Sequence, residues 1–131
     1  MPKADLTLSP GALPADAIGP LTDALTGLLL RHRGVEDTPR ARANVWWFVD
    51  ERQAFVAGAA PALPLVVVRF AVIAGGIDDA AVAALVADGT AAVKAINPDA
   101  RVWLIVDEVA DGRWGVEGRL AKPTPKAPAA T

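Results

Sequence analysis

The chain has 131 residues, 53% of them hydrophobic, with 13 Lys+Arg against 15 Asp+Glu for a formal net charge of −2. That length suits one domain or two small fused halves, and the near-balanced charge argues against a nucleic-acid partner, which needs clustered cations. Cysteine is absent and histidine occurs once, which excludes disulfides, thiol nucleophiles, zinc–thiolate sites and a histidine-based metal cluster, so no metal site is expected.

The opening stretch MPKADLTLS lacks a basic region followed by an apolar run, so no signal peptide is read and a cytoplasmic location is expected. Lys3 to Ser9 alternates weakly and reads as a strand. A helix follows, with Leu21, Ala24, Leu25 and Leu28 at helical spacing. Pro14 suits a first turn, but Pro20 would then remove an internal hydrogen bond, so a start at Pro20 is favoured. Arg31, His32 and Arg33 close this helix and Gly34 suits its C-terminal cap. A cationic last turn complements the helix dipole, which accounts for His32 without an acid–base role.

Val35 to Ala43 reads as a polar connector, Ala43 to Val49 as the second strand, and the residues up to Pro64 as a short apolar loop. Ala60 to Ile77 has membrane-spanning length, yet Pro61, Pro64, Gly75 and Gly76 punctuate it and Arg69 interrupts it. It reads as a loop and a third strand, Leu65 to Ile73, buried on both faces, and no membrane partner is expected. Asp78 or Asp79 caps a second helix carrying Val82, Leu85, Val86, Val93 and Ile96. Asn97 to Ala100 is a turn, Arg101 to Val109 the fourth strand, and residues 122–131 a proline-rich tail expected to be disordered.

Two of these strands nearly repeat each other: NVWWFVDE begins at Asn44 and RVWLIVDE at Arg101. The order is β-α-β followed by β-α-β, which implies an α/β (α+β) domain over residues 1–121 with pseudo-repeats at about 2–58 and 64–120. A helix between two strands of one sheet makes them parallel with a right-handed crossover. A four-stranded mixed sheet with both helices on one face is the simplest closure. The ferredoxin-like fold shares this element order, so order alone leaves both open. Parity puts Trp46, Phe48 and Asp50 on one sheet face and Val45, Trp47 and Val49 on the other; Trp103, Ile105 and Asp107 take the Trp46 face. Both faces are apolar, and helices cover only one, so a homo-oligomer is expected.

The ending VADGRWGVEGRL resembles that of a 4-oxalocrotonate tautomerase subunit, with an acidic residue followed six positions later by an aromatic and a glycine: here Glu108, Trp114 and Gly115. Glu51, Phe55 and Gly58 repeat this weakly, and the chain begins Met-Pro. Duplicated units of this length resemble the fused-subunit branch of the tautomerase superfamily, which includes macrophage-migration-inhibitory-factor-like proteins, malonate semialdehyde decarboxylases and cis-3-chloroacrylic acid dehalogenases. The resemblance covers about Pro2 to Leu120 and implies a homotrimer and a catalytic N-terminal proline, Pro2, exposed when Met1 is removed. It implies no cofactor. An α-amino group titrates near neutral pH, and an apolar pocket or a nearby cation lowers its pKa further. The neutral amine then serves as a general base and its protonated form as an acid.

The departures narrow the substrate. Relatives hold the substrate carboxylate with arginines that fall here near Ala12 and at Trp46 and Trp103, and the paired arginines after the third strand are replaced by IAGGIDD, Ile73 to Asp79. Dehalogenation and decarboxylation therefore fit poorly. The expected reaction is keto–enol tautomerisation of a small hydrophobic or aromatic 2-keto/enol acid. Pro2 is the expected acid/base, and Trp46, Trp103, Trp114, Ile73, Ala74 and Arg119 are the expected substrate-binding residues. Backbone N–H groups of the Ile73–Gly76 turn are candidates to bind an anion without arginine. Arg42, Arg69 and Arg113 are further candidate cations. Two other readings stand beside this one: a catalytically silent binding or assembly protein of the same fold, and a ferredoxin-like small-molecule-binding regulatory domain.

Overall fold

Period-two alternation in the strands sets the layering. The computed structural model describes residues 2–122. Along them run β1 (Lys3–Leu8), α1 (Ala15–His32), α2 (Pro39–Ala43), β2 (Trp46–Glu51), β3 (Leu65–Ile73), α3 (Asp79–Ile96), β4 (Arg101–Val109), β5 (Gly115–Val116) and β6 (Arg119–Leu120). The first four strands form a mixed sheet in the order β2-β1-β3-β4. β1 pairs parallel with β2, β3 parallel with β4, and β1 antiparallel with β3 at the centre. Each β-α-β unit thus keeps its own two strands as neighbours. A ferredoxin-like sheet splits them, so the topology decides against that reading.

Ala4, Leu6 and Leu8 of β1 and Val66, Val68, Phe70 and Val72 of β3 bury one face of the sheet against Leu21, Leu25 and Leu29 of α1 and Leu85 and Val93 of α3. Gly89 lets α3 approach β4 closely, because a Cβ there would overlap Leu104 Cδ1. On this face Trp47 ties the edge strand β2 to the core. Its ring meets Phe70 edge-on, 5.5 Å between centroids, and its Nε1 donates to Thr26 Oγ1 at 2.9 Å.

Among the described residues, no layer lies over the opposite face. Trp46 (65% exposed) and Trp103 (72%) stand at diagonal corners, with Phe48 and Ile105 exposed between the corners and the centre. The centre is charged: Lys3 pairs with Asp5 at 2.9 Å and Arg69 with Asp107. The face predicted as apolar is therefore apolar at its margins and ionic along its middle. The reason is that β1 and β3 place Lys3, Asp5 and Arg69 there by parity.

Several boundaries differ from the predicted ones. α1 begins at Ala15, not at Pro20, with Pro14 as its N-cap and Pro20 inside. Pro20 is exposed in the first turns, where the hydrogen bond it forgoes lies on the solvent side. The connector contains the short helix α2, with the Thr38 hydroxyl accepting from Ala41 N at 3.1 Å and Pro39 at its first position. That helix delays β2 to Trp46. The small hairpin of β5 and β6 turns on Glu117 and Gly118, both with positive φ. Strands β3 and β4 match their predicted spans. The disordered tail expected at 122–131 lies, apart from Lys122, outside the described residues. Among the described residues no helix is long and apolar enough to cross a membrane.

Candidate functional site

The antiparallel centre gives the sheet two unlike ends. One end gathers the N-termini of β1 and β2 and the C-termini of β3 and β4. Lys3 is opposite Trp46 and Ala71, so continuing the register sets Pro2 level with Val45 and Val72. Pro2 is buried, and it shares the parity of Ala4 and Leu6, toward the helices. The Ile73–Asp78 turn closes this end over β3.

The turn holds a cation that the sequence reading assigned elsewhere. Arg33 is 3% exposed, and its Nε and Nη1 have no hydrogen-bond partner among the described residues. Its position follows from the end of α1. Gly34 takes φ +67, Gly34 N donates to Arg31 O at 3.0 Å and Val35 N to Leu30 O at 2.9 Å. These are the two bonds of a Schellman motif, which seals the helix and turns the chain. Val35 buries itself, and Arg33 is carried inward to the turn instead of outward to water. There the guanidinium lies against Gly76: a Cβ on Gly76 would sit 3.0 Å from Arg33 Nη2. Burial lowers the Arg33 pKa from its ordinary value, yet an arginine keeps its charge at neutral pH. A buried guanidinium with two idle N–H groups is a costly arrangement and a ready anchor for a carboxylate, which its planar fork matches.

Two of the turn's expected backbone donors have partners within the chain. Ala74 N donates to Val109 O at 2.8 Å and Gly76 N to Ile73 O at 3.2 Å. Those two groups are already engaged, and Arg33 is the buried cation beside them.

The other predicted residues divide by position. Ile73 and Ala74 lie in the turn beside Arg33, and Trp46 stands at this end but on the open face. Trp103 lies at the far end of the sheet, opposite Val67. Trp114 and Arg119 belong to the small hairpin region beyond β4, Trp114 half-buried and Arg119 exposed. Of the other candidate arginines, Arg42 clamps Asp37 at 2.6 Å and Asp23 at 2.7 Å, and Arg69 is held by Asp107. Arg113 is exposed in the turn that leads to Trp114. His32 faces α3, with its Nε2 2.8 Å from Asp88 Oδ2. The contact joins the two helices, and His32 lies in the last turn of α1 as expected.

No family model and no curated protein matches the sequence. Solved structures do match. N1, a member of the cis-3-chloroacrylic acid dehalogenase family, superposes with a TM-score of 0.72 at 21% identity, covering 93% of this chain and 85% of that one. Native fused 4-OT gives 0.70 at 19% identity, over 90% and 94%. Pt0534, in a structure of the protein inactivated by 2-oxo-3-pentynoate, gives 0.75 at 15% identity, over 91% and 95%. With its four-stranded mixed sheet and two β-α-β units in one chain, the protein has the fold of the tautomerase superfamily, in its fused double form.

Proposed function

We propose that this chain is a cofactor-free tautomerase acting on a small hydrophobic or aromatic 2-keto/enol acid. Pro2, with Met1 removed, is the general acid/base, and Arg33 anchors the substrate carboxylate. The observation that carries this reading is the buried, unpaired Arg33 at the same end and on the same sheet face as buried Pro2. A neutral secondary amine takes the enol hydroxyl proton, electrons move to form the ketone, and the protonated amine returns a proton to C3. Burial favours the neutral amine at pH 7. One buried cation suits a monocarboxylate with an apolar body better than a dicarboxylate. Pt0534, of the same fold, is inactivated by 2-oxo-3-pentynoate, itself a 2-oxo acid with a short apolar body.

Ile73 and Ala74 form the wall of the site in this reading, with Trp46, Trp114 and Arg119 at its margin. Trp103, at the far end of the sheet, lies outside this site. A homotrimer covers the exposed Trp46, Phe48 and Ile105 of the open face. The cytoplasm is the compartment that accompanies this reading. A catalytically silent protein of this fold remains the rival.

Intact mass of untagged protein decides first whether Met1 is removed. Ketonisation of phenylenolpyruvate is then followed for native protein and for Pro2→Ala. The loss expected is about 10²–10⁴-fold, the usual worth of a positioned acid/base. Retained Met1, or equal rates for the two proteins, would falsify the role of Pro2 and favour the silent reading. Arg33→Gln is expected to raise KM for the same substrate more than it lowers kcat, as loss of uniform binding does.

A further inference from the structure

The far end of the sheet repeats the Pro2 end with different chemistry. Helices α1 and α3 each span 18 residues and start at residues 15 and 79, 64 positions apart. The first strand of each unit keeps that displacement, Lys3 to Val67, and Val67 faces Trp103 as Lys3 faces Trp46. By the same step Val66 occupies the place of Pro2, and its nitrogen is a peptide nitrogen that cannot act as a base. Asn97 occupies the place of Arg33, and its Nδ2 is satisfied by Ala12 O at 2.9 Å.

This end nevertheless carries an open groove of about 640 Å³, whose walls are partly exposed. Its walls include Phe55, Leu63, Val66 and Trp103, with Arg101 as the one charged side chain lining it. The connector between β2 and β3 forms one wall and is internally braced. Val56 N donates to Ala59 O at 2.8 Å and Ala59 N to Val56 O at 3.1 Å, around Ala57 and Gly58, both with positive φ. That is the geometry of a tight two-residue hairpin turn, which holds Phe55 over the groove. Arg101 makes no ion pair among the described residues.

We infer a second, non-catalytic binding site at this end for a hydrophobic monocarboxylate, its apolar body between Phe55, Leu63 and Trp103 and its carboxylate on Arg101. The volume falls in the range of about 300–1,000 Å³ that small-molecule pockets occupy. A concave apolar site with a single unpaired cation complements an amphipathic anion. It offers no second cation to a dicarboxylate. With no titratable amine at Val66, an acid bound here is held unchanged. The inference does not rest on catalysis by Pro2.

The probe is 3-phenylpropionate, titrated calorimetrically into the assembled full-length protein, with its methyl ester as control. A binding component is expected that Arg101→Gln weakens at least tenfold and that the ester lacks, while turnover of phenylenolpyruvate is unchanged. Leu63→Glu, at an exposed wall position, is expected to remove the same component with no change in the mass of the assembly. Binding indifferent to Arg101→Gln, or equal binding of the ester, overturns the site. So does a change of assembly mass in Leu63→Glu, which would assign the groove to a second copy of the chain. Loss of activity in Pro2→Ala bears only on the proposed reaction, and the component sensitive to Arg101 bears only on this site.

Discussion

Arg33 and Asn97 occupy matching places at the C-terminal ends of two matching helices, and they meet matching turns, at Gly76 and Ala12. Asn97 finds a carbonyl and settles as a structural joint. Arg33 lies against Gly76, and its buried Nε and Nη1 have no partner among the described residues. Duplication therefore reproduced one backbone at both ends, and a single side chain made one end costly. Such a cost persists only where something else recovers it, and a substrate carboxylate would.

Arg33→Met breaks this contrast most directly. It removes the unsatisfied cation and keeps the apolar stem, so the protein is expected to gain about 1–3 kcal/mol, the usual penalty of an unsatisfied buried polar group. Thermal unfolding should show a rise of several degrees, while turnover of phenylenolpyruvate falls. A loss of stability would mean that the guanidinium has a structural role at this end. In the helix–sheet layer between the two ends, Gly89→Val drives a side chain into Leu104 and is expected to cost about 1–3 kcal/mol through overpacking. Asn97→Ala is expected to cost about 1 kcal/mol by giving up its bond to Ala12 O. Denaturant midpoints measure both. Asn97→Ala and Arg33→Met should thus move stability in opposite directions although the two positions match.

Gly76→Ala sharpens the comparison with a smaller effect. The new methyl pushes the Arg33 tip, so KM should rise several-fold with little change in melting temperature. The smallest effect belongs to a site outside both ends. Hydrogen bonds from Arg42 hold the Asp37 carboxyl below its ordinary value of 3.8. The stability this adds is complete above that value and is lost as pH falls through the lower folded value. Arg42→Ala should therefore narrow the difference in melting temperature between pH 7 and pH 2 slightly, since both groups face solvent.

Much of the frame was legible before any coordinates. The β-branched run Leu65–Ile73 and the strand Arg101–Val109 carry strong alternation or continuous apolar character, and both lie where they were predicted. The Asp78 cap places α3, its side chain accepting from Ala81 N at 2.8 Å. The start of α1 was misread because a proline inside a helix is tolerated near its beginning on the exposed side. Helix α2 was missed because five residues show no period.

The sequence offered Pro2 as a candidate and gave no sign of the buried Arg33. A basic triplet at a helix end reads as a solvated complement to the dipole, and no local pattern shows which member turns inward. Helix C-capping at Gly34 and the glycine at position 76 decide it jointly, and those two residues meet only after both halves pack. Sequence alone determined the doubled β-α-β order, the parity of the strands and the proline that heads the first of them, because these depend on neighbours along the chain. Which end of the sheet holds a buried cation, and which holds an apolar groove beside Arg101, was left to the tertiary structure. Burial and hydrogen-bond satisfaction are properties of what surrounds a side chain in space, and residues far apart in the chain supply those surroundings.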